Sequence, residues 1–175
     1  MIVGIEVSDI TSPNNKRDII IGMNTTLNDV RGIGLPFVKK IETLHPITLG
    51  AVLSFEFDDS RQVHMLICHD LGQYGWKNAD HFVRFGMDFL WHTEPAREYS
   101  IVQIGTGRVG HRDRADPVAI RTAMTNSFLP VTLFVFNPEK SRVIHVALPE
   151  LKPFRAWSPT HGVEDIRYAA QQRPK

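Results

Sequence analysis

A glycine-rich loop is the part of this sequence best suited to chemistry. It lies within residues 100–120, SIVQIGTGRVGHRDRADPVAI, between a short apolar run and the start of a helix. Glycines permit positive φ angles and close backbone approach, and consecutive backbone amides can form a concave nest for phosphate oxygens. Four basic side chains crowd the loop: Arg108, His111, Arg112 and Arg114. These features predict a phosphate-binding loop, and the alternative interpretation is a glycine-rich turn beside a solvated basic patch.

The spacing of Gly105, Gly107 and Gly110 matches the GxGxxG of dinucleotide-binding folds, but its context differs. In that fingerprint the helix opens within the glycine motif, whereas here HRDRADP intervenes and Asp116 is the expected helix cap. The acidic residue expected about 20 residues further on is missing, because Pro130 lies there. No Gly-Lys-Ser/Thr follows, so a Walker P-loop fits even less well. A dehydrogenase and a P-loop nucleotidase are both disfavoured.

The composition limits the class of protein. A length of 175 residues with 42% hydrophobic and 22% charged residues is typical of one globular domain. The formal net charge of +1 provides no general attraction for nucleic acid or anionic lipid. No segment approaches the roughly 18 apolar residues of a membrane helix. Because MIVGIEVSDI lacks the features of a signal peptide, a cytoplasmic location is expected.

Strand and helix patterns alternate along the chain. Runs rich in β-branched residues predict strands near residues 2–7, 18–21, 51–57, 62–69, 100–104 and 131–136. The polar turn DDSR predicts that the third and fourth of these pair as an antiparallel hairpin. Helices are predicted over 35–44, from a cap at Asn78 to just before Pro95, and from Asp116 and Pro117 to about Phe128. The predicted fold class is α/β, a three-layer α/β/α domain with a mixed central sheet.

The side-chain pattern adds two expectations about packing and boundaries. Phe82, Phe85, Phe89 and Leu90 share a face of the second helix, which is expected to pack in the core. Residues 1–148 are predicted to form the domain, with SRVIHVAL as a further strand. Residues 149–175 include Pro149, Pro153 and Pro159 near their start and are predicted to be an irregular extension with a short helix over 163–171.

Several polar and aromatic side chains outside the loop are expected to be structural. His64 and His69 lie five apart on one predicted strand and therefore face opposite sides, which disfavours a metal site. A polar role at the rim of a pocket is the alternative for His69 and Asp70, because they end a strand at the expected ligand edge. Cys68 is the only cysteine, so no intrachain disulfide forms, and it is expected to be a buried inert thiol. Tyr74 and Trp76 are expected to pack over the sheet edge, with a ligand contact as the alternative.

The order of motifs over residues 2–136 resembles that of macro domains, the ADP-ribose-binding α/β/α modules. EVSDIT resembles the Gly-Asp-Ile-Thr that follows the family's first strand, with Ser8 in place of glycine. This likeness implies that Asp9 accepts a hydrogen bond from the adenine amino group and that the Ile10 backbone helps to hold the base. IIIGMNTTL is similar to the family's strand followed by Asn-Ala-Ala-Asn-x-x-Leu. That match places Asn24 near the distal ribose, and Ile21 stands where the family has its first asparagine.

Two glycine loops extend the resemblance to the diphosphate. RGIG looks like a reduced form of the family's first glycine-rich loop and implies that Gly32 and Gly34 lie near the diphosphate. IGTGRVGH resembles the second phosphate loop, Ser-x-Gly-Ile-aromatic-Gly-aromatic. The residues that this likeness places on the phosphate cradle are Gly105, Thr106, Gly107, Arg108, Val109 and Gly110. Arg108 or Arg112 is expected to add charge-assisted hydrogen bonds.

The departures from the family pattern favour binding over catalysis. Val109 replaces the aromatic residue that usually packs on the distal ribose, and Ile21 removes an asparagine that helps to orient a catalytic water in active relatives. Asn24 is then the only catalytic-type residue, and an amide cannot act as a general base at neutral pH. The resemblance implies binding of ADP-ribose or a related nucleotide, free or attached to a macromolecule, without a cofactor or metal. The alternatives are a hydrolase or phosphatase of the same fold and an interaction protein with a degenerate pocket.

Overall fold

The structure is a computed structural model of the chain. It describes residues 1–25, 41–42, 46–70, 75–105, 115–135, 154–159 and 162–168. The helix predicted over 35–44 falls mostly outside these residues. Its two described residues, Ile41 and Glu42, form a short strand instead, because they pair with another strand far along the chain. The strand predicted for SRVIHVAL also lies outside the described residues.

Nine strands and two helices make up the described part of the chain. The strands are β1 (Ile2–Glu6), β2 (Asp18–Asn24), β3 (Ile41–Glu42), β4 (Val52–Glu56), β5 (Gln62–His69), β6 (Tyr99–Val102), β7 (Val131–Phe134), β8 (Phe154–Ser158) and β9 (Gly162–Tyr168). The helices are α1 (Ala79–Thr93) and α2 (Pro117–Asn126). Neither described helix is long and apolar enough to span a membrane.

The strands form one mixed sheet in the order β1-β7-β6-β2-β5-β4-β8-β9-β3. Neighbours from β1 to β5 in that order pair in parallel. The remaining pairs are antiparallel. The predicted hairpin is confirmed, since β4 and β5 pair from Val52 with Leu66 to Glu56 with Gln62. This topology confirms the predicted α/β class with a mixed central sheet.

Two apolar clusters cover the two faces of the sheet. Ile19 and Ile21 of β2 belong to one cluster and Ile20 to the other, as the alternation of a strand buried on both sides requires. The strand predicted near residues 131–136 is confirmed as β7, and all four of its residues are buried. Side chains of both α1 and α2 lie in the cluster of Ile20. Among the described residues no helix lies on the opposite face.

Helix α1 buries a stripe that includes Leu90, as predicted, but not the three phenylalanines predicted with it. Its buried residues are Ala79, Val83, Gly86, Met87 and Leu90. The phenylalanines flank this stripe: Phe85 is 39% exposed, and Phe82 and Phe89 are only partly buried. The cause is close packing, because a Cβ atom on Gly86 would lie 2.7 Å from the Leu66 Cδ2 atom. The helix therefore comes too near the sheet to place a large ring at its centre.

The two predicted helix caps have different outcomes. Asp116 caps α2 as predicted, because its Oδ1 accepts hydrogen bonds of 3.1 Å from the backbone amides of Val118 and Ala119. Pro117 stands at the first position of the helix, where its missing N–H costs nothing. Asn78 precedes α1 as predicted but adopts the left-handed conformation, and its side chain forms no capping bond.

The C-terminal segment also departs from the prediction. The helix predicted over 163–171 is wrong in its described part, since residues 162–168 form β9. Gly162 has a φ of 70°, which glycine adopts readily and other residues rarely do. This conformation lets the chain turn back, so that Gly162 pairs with Ser158. Strand β8 in turn pairs with β4, so this segment extends the sheet. The domain boundary at residue 148 stays a prediction.

Candidate functional site

The parallel strands deliver several of the predicted residues to one edge of the sheet. Because β1, β7, β6, β2 and β5 run in the same direction, their carboxyl ends lie together. Asp9 follows β1, Asn24 ends β2, His69 ends β5, and Gly105 follows β6. We call this region the carboxyl edge. Open α/β sheets bind their ligands outside the carboxyl ends of the strands, so the position suits a binding site.

Asp9 shapes a tight turn after β1, which we call the Asp9 turn (residues 9–15). Its Oδ1 accepts hydrogen bonds from the Thr11 backbone amide at 2.9 Å and the Thr11 hydroxyl at 2.7 Å. The Ser12 amide donates to the Asp9 carbonyl at 3.1 Å. Asp9 is exposed, and within the described part of the chain its Oδ2 forms no hydrogen bond. The carboxylate is therefore oriented through one oxygen and can accept from a ligand through the other.

Ile10 contributes in another way. Its side chain is 6% exposed and belongs to the core cluster on the face away from α1. Its carbonyl accepts a hydrogen bond of 2.8 Å from Nδ2 of Asn15, so that oxygen already has an internal partner. These contacts anchor the Asp9 turn to the sheet. The predicted backbone contact of Ile10 with a base stays a prediction.

Asn24 is buried at the end of β2, with 3% of its surface exposed. It lies opposite His69 in the register of the two parallel strands, and the Thr25 amide donates to the His69 carbonyl at 3.0 Å. This pairing ties the end of β2 to the end of β5. Asn24 thus occupies the middle of the carboxyl edge, between the strands that lead to His69 and to Gly105.

Gly105 begins the glycine loop in a conformation that requires glycine. Its φ is +84°, and a Cβ atom there would lie 2.7 Å from Ile120 Cδ1 and 2.9 Å from the Ala115 Cβ. The backbone after β6 therefore packs directly against the start of α2. The rest of the loop predicted to be the second phosphate loop, and the whole of the one predicted to be the first, lie outside the described residues. Those predicted ligand residues are Gly32, Gly34, Thr106, Gly107, Arg108, Val109 and Gly110, with Arg112 beside them.

A stacked ring pair borders the carboxyl edge. His69 and Trp76 lie with ring centroids 3.8 Å apart and planes within 13°, and the indole comes within 3.9 Å of a Cβ position on Gly105. The expected packing of Trp76 over the sheet edge is confirmed. Cys68 is fully buried, and burial raises the pKa of its thiol to about 12, which confirms an inert thiol. For the stack of His69 on Trp76, the sequence offered one indication, a bulky ring in a glycine-rich loop.

A buried polar cluster lies at the opposite edge of the sheet. Asp18 is 2% exposed and His64 is fully buried. The Asp18 carboxylate accepts hydrogen bonds from Arg97 Nε at 2.5 Å and Nη2 at 2.6 Å, and it lies 2.9 Å from His64 Nε2. His64 Nδ1 lies 2.7 Å from the Ser54 hydroxyl. Every ring nitrogen of His64 has a partner, so the prediction of a satisfied structural histidine is confirmed.

The same cluster suits neither a metal nor a nucleophile. Asp18, His64 and Glu94 each place a ligand atom within 4.8 Å of the others, a spacing that a cation could bridge. The Arg97 guanidinium already neutralises Asp18, and a second positive charge there would be repelled. Ser54, His64 and Asp18 form a Ser-His-Asp chain, but its base and acid are both buried from any substrate. The cluster instead joins β2, β4 and β5 to the residues before β6.

Comparison with known proteins bears on the fold alone. No protein-family model matches the sequence, and no curated protein matches it. A macrodomain protein from Streptomyces coelicolor is similar in structure, with a TM-score of 0.51 and 16% identity over 78% of this chain and 99% of that one. A Bacteroides thetaiotaomicron protein of unknown function has a TM-score of 0.55 and 18% identity over 77% of this chain and 98% of that one. Together with the sheet order and the α/β layers, this likeness shows that the chain has a macro-like fold.

Proposed function

We propose that the chain binds ADP-ribose or a related nucleotide diphosphate, free or attached to a macromolecule, at the carboxyl edge. One observation supports the proposal: β1, β6, β2 and β5 are four of the five neighbouring parallel strands of a macro-like fold, and Asp9, Asn24, His69 and Gly105 each stand at or just after the carboxyl end of one of them. Ligand sites in α/β sheets occupy this position because loops from several strands converge there. A fold alone does not determine function, so the support for a ligand site comes from these residues.

The Asp9 turn supplies the chemistry for the adenine end. An exposed carboxylate with one oxygen fixed by Thr11 accepts a hydrogen bond from an exocyclic amino group through the other. A hydrogen bond to a charged group contributes about 1.5–3 kcal/mol, enough to select one base over another. Asn24 at the centre of the edge offers an amide for ribose hydroxyls.

The diphosphate is assigned to the two glycine loops. Gly105 supports this assignment, because its positive φ brings the chain out of β6 in the conformation from which backbone amides can line a concave turn. Gly32, Gly34 and residues 106–110 are proposed to supply the remaining donors. Neutral backbone amides would account for anion binding by a chain with a formal net charge of only +1.

Binding is proposed over turnover for a chemical reason. Asn24 is an amide and takes no proton at neutral pH, so it cannot activate water by itself. A hydrolase would release free ADP-ribose from a modified protein, and Asn24→Ala would abolish that release. A reader would bind the same substrate and leave it intact.

Calorimetric titration with ADP-ribose tests the proposal. The wild-type chain is expected to give saturable binding, and Asp9→Ala to weaken it about 10- to 100-fold, since a charged hydrogen bond is lost. Asp59→Ala, which removes an exposed carboxylate in the turn between β4 and β5, is the matched control and should bind like wild type. AMP, ADP and NAD serve as comparators. Absence of binding, or equal affinity for Asp9→Ala and wild type, would contradict the proposal.

A further inference from the structure

A buried arginine donates hydrogen bonds to the backbone of the Asp9 turn. Arg61, in the turn between β4 and β5, is only 4% exposed although it is charged. Its Nη1 donates to the carbonyls of Asn15 at 2.8 Å and Ser12 at 3.0 Å. Both Nη1 and Nη2 lie 3.4 Å from the carbonyl of Thr11. One guanidinium therefore donates hydrogen bonds to three backbone carbonyls of the Asp9 turn.

The guanidinium is itself fixed in place. Its Nε donates to Asp58 Oδ2 at 2.8 Å, and Nη2 lies 2.7 Å from the same oxygen. The Phe57 ring lies beneath it, 4.8 Å from the guanidinium carbon to the ring centroid. A planar fork held by a carboxylate on one side and a ring on another has little freedom to move. Arg61 is therefore a rigid support and not a solvated surface charge.

Asn15 anchors the other side of the same turn. Its Nδ2 donates to the Ile10 carbonyl at 2.8 Å and to the Ser100 hydroxyl at 2.9 Å. That hydroxyl donates onward to the Asp18 carbonyl at 2.7 Å. The turn is thus fixed to β6 through Asn15 and to the β4–β5 turn through Arg61. Between these anchors, Thr11 orients the Asp9 carboxylate.

We propose that Arg61 is a positioning residue that sets the Asp9 carboxylate for an exocyclic amino group and so gives the site its preference for adenine. The inference rests on the proposed function of the carboxyl edge. If the guanidinium is lost, three carbonyls lose their shared donor and the turn relaxes. A lysine keeps the charge but offers a single nitrogen, which cannot bridge the same three carbonyls in one geometry.

The test compares ADP-ribose with its hypoxanthine counterpart, inosine diphosphate ribose, in which a carbonyl replaces the amino group. Wild type is expected to prefer ADP-ribose by at least about tenfold, the value of one charged hydrogen bond. Arg61→Lys should weaken the binding of ADP-ribose about tenfold and the binding of inosine diphosphate ribose less than about twofold. The preference for ADP-ribose over the inosine ligand should therefore be largely lost. A loss that merely followed from destabilisation would weaken both ligands equally.

Arg97→Lys is the matched control. Arg97 also donates to a buried carboxylate, that of Asp18, through two nitrogens. Its hydrogen bonds go to Asp18 and to the Ser60 carbonyl, and none goes to a described residue of the Asp9 turn. Its lysine variant should lose stability and keep the wild-type preference between the two ligands. Native-state hydrogen exchange gives a second measurement that needs no ligand. The amides of Thr11 and Ser12 should exchange at least about tenfold faster in Arg61→Lys than in Arg97→Lys.

The outcomes separate this inference from the function on which it rests. If wild type binds neither ligand, the proposed function fails and the role of Arg61 fails with it. If wild type prefers ADP-ribose and Arg61→Lys keeps that preference, the function stands and the inference is overturned. Unchanged exchange of Thr11 and Ser12 in Arg61→Lys would overturn it as well, because the turn would not depend on Arg61.

Discussion

Replacement of Asp18 by alanine is expected to lower the free energy of unfolding by about 3–5 kcal/mol, because it removes a buried carboxylate that is paired with a charged partner. The carboxylate accepts from Arg97, His64 and the Gln62 amide, and it is 2% exposed. Alanine removes this acceptor, so all three donors lose a hydrogen bond inside the protein. Asp18 begins β2, and its partners come from β5 and from the residue two positions before β6, so the loss loosens the contacts of β2 with both neighbouring strands.

Urea unfolding at neutral pH measures this effect. Asp59→Ala is the control, because Asp59 is exposed, and it should change the free energy of unfolding by no more than about 0.5 kcal/mol. Equal stabilities for Asp18→Ala and Asp59→Ala would show that the buried cluster contributes nothing. A large loss in both would place the effect outside the cluster.

The same carboxylate makes stability depend on pH. Burial alone would raise the pKa of Asp18, but hydrogen bonds from Arg97, His64 and the Gln62 amide outweigh it and lower the pKa below its ordinary value. The unfolded chain therefore binds the proton at a higher pH than the folded chain. The stabilisation is complete above the unfolded value of about 3.9 and is lost as the pH falls through the lower folded value. Stability of Asp18→Asn should decline less than that of wild type over this acidic range.

Replacement of Phe55 by alanine should lower the free energy of unfolding by about 3–5 kcal/mol. The ring is 2% exposed and lies in the apolar cluster that also contains Ile10, so the cavity would open within that cluster. Phe128→Ala makes the same chemical change at a side chain that is 61% exposed. It should cost about 0.5 kcal/mol or less. Thermal or urea unfolding of the two variants measures the difference. A similar loss of unfolding free energy in both would contradict the assignment of Phe55 to the core.

Much of the fold follows from local pattern. The short apolar runs of β2 and β7 and the DDSR turn predicted strands that the structure contains. Asp116 and Pro117 predicted the start of α2, because a cap depends on two or three neighbouring residues. These features are encoded over short stretches of chain, which is why the sequence alone suffices to find them.

The errors arise where distant segments meet. The buried face of α1 is set by the contact of Gly86 with Leu66, a pair that helical spacing cannot reveal. Strand β9 exists because its backbone pairs with β8 and β3, although its residues also suit a short helix. Tertiary pairing overrides local preference in both cases.

The candidate site shows the same division. Asp9, Asn24 and Gly105 were predicted from motifs, since each stands in a short recognisable stretch. Arg61 was not, because it ends a polar turn that suggests a solvated residue, and its burial depends on carbonyls about 50 positions away in the chain. The stack of His69 on Trp76 likewise joins a strand end to a later loop.

An NMR titration of the labelled chain with ADP-ribose tests the central claim most directly, because backbone amides report where a ligand lies. The account predicts that amides of residues 9–11, 24–25 and 104–105 shift with one common binding curve. Amides of Ser54 and His64, at the opposite edge of the sheet, should stay unchanged. Shifts at the opposite edge with none at the carboxyl edge, or no shifts at saturating ligand, would contradict the account.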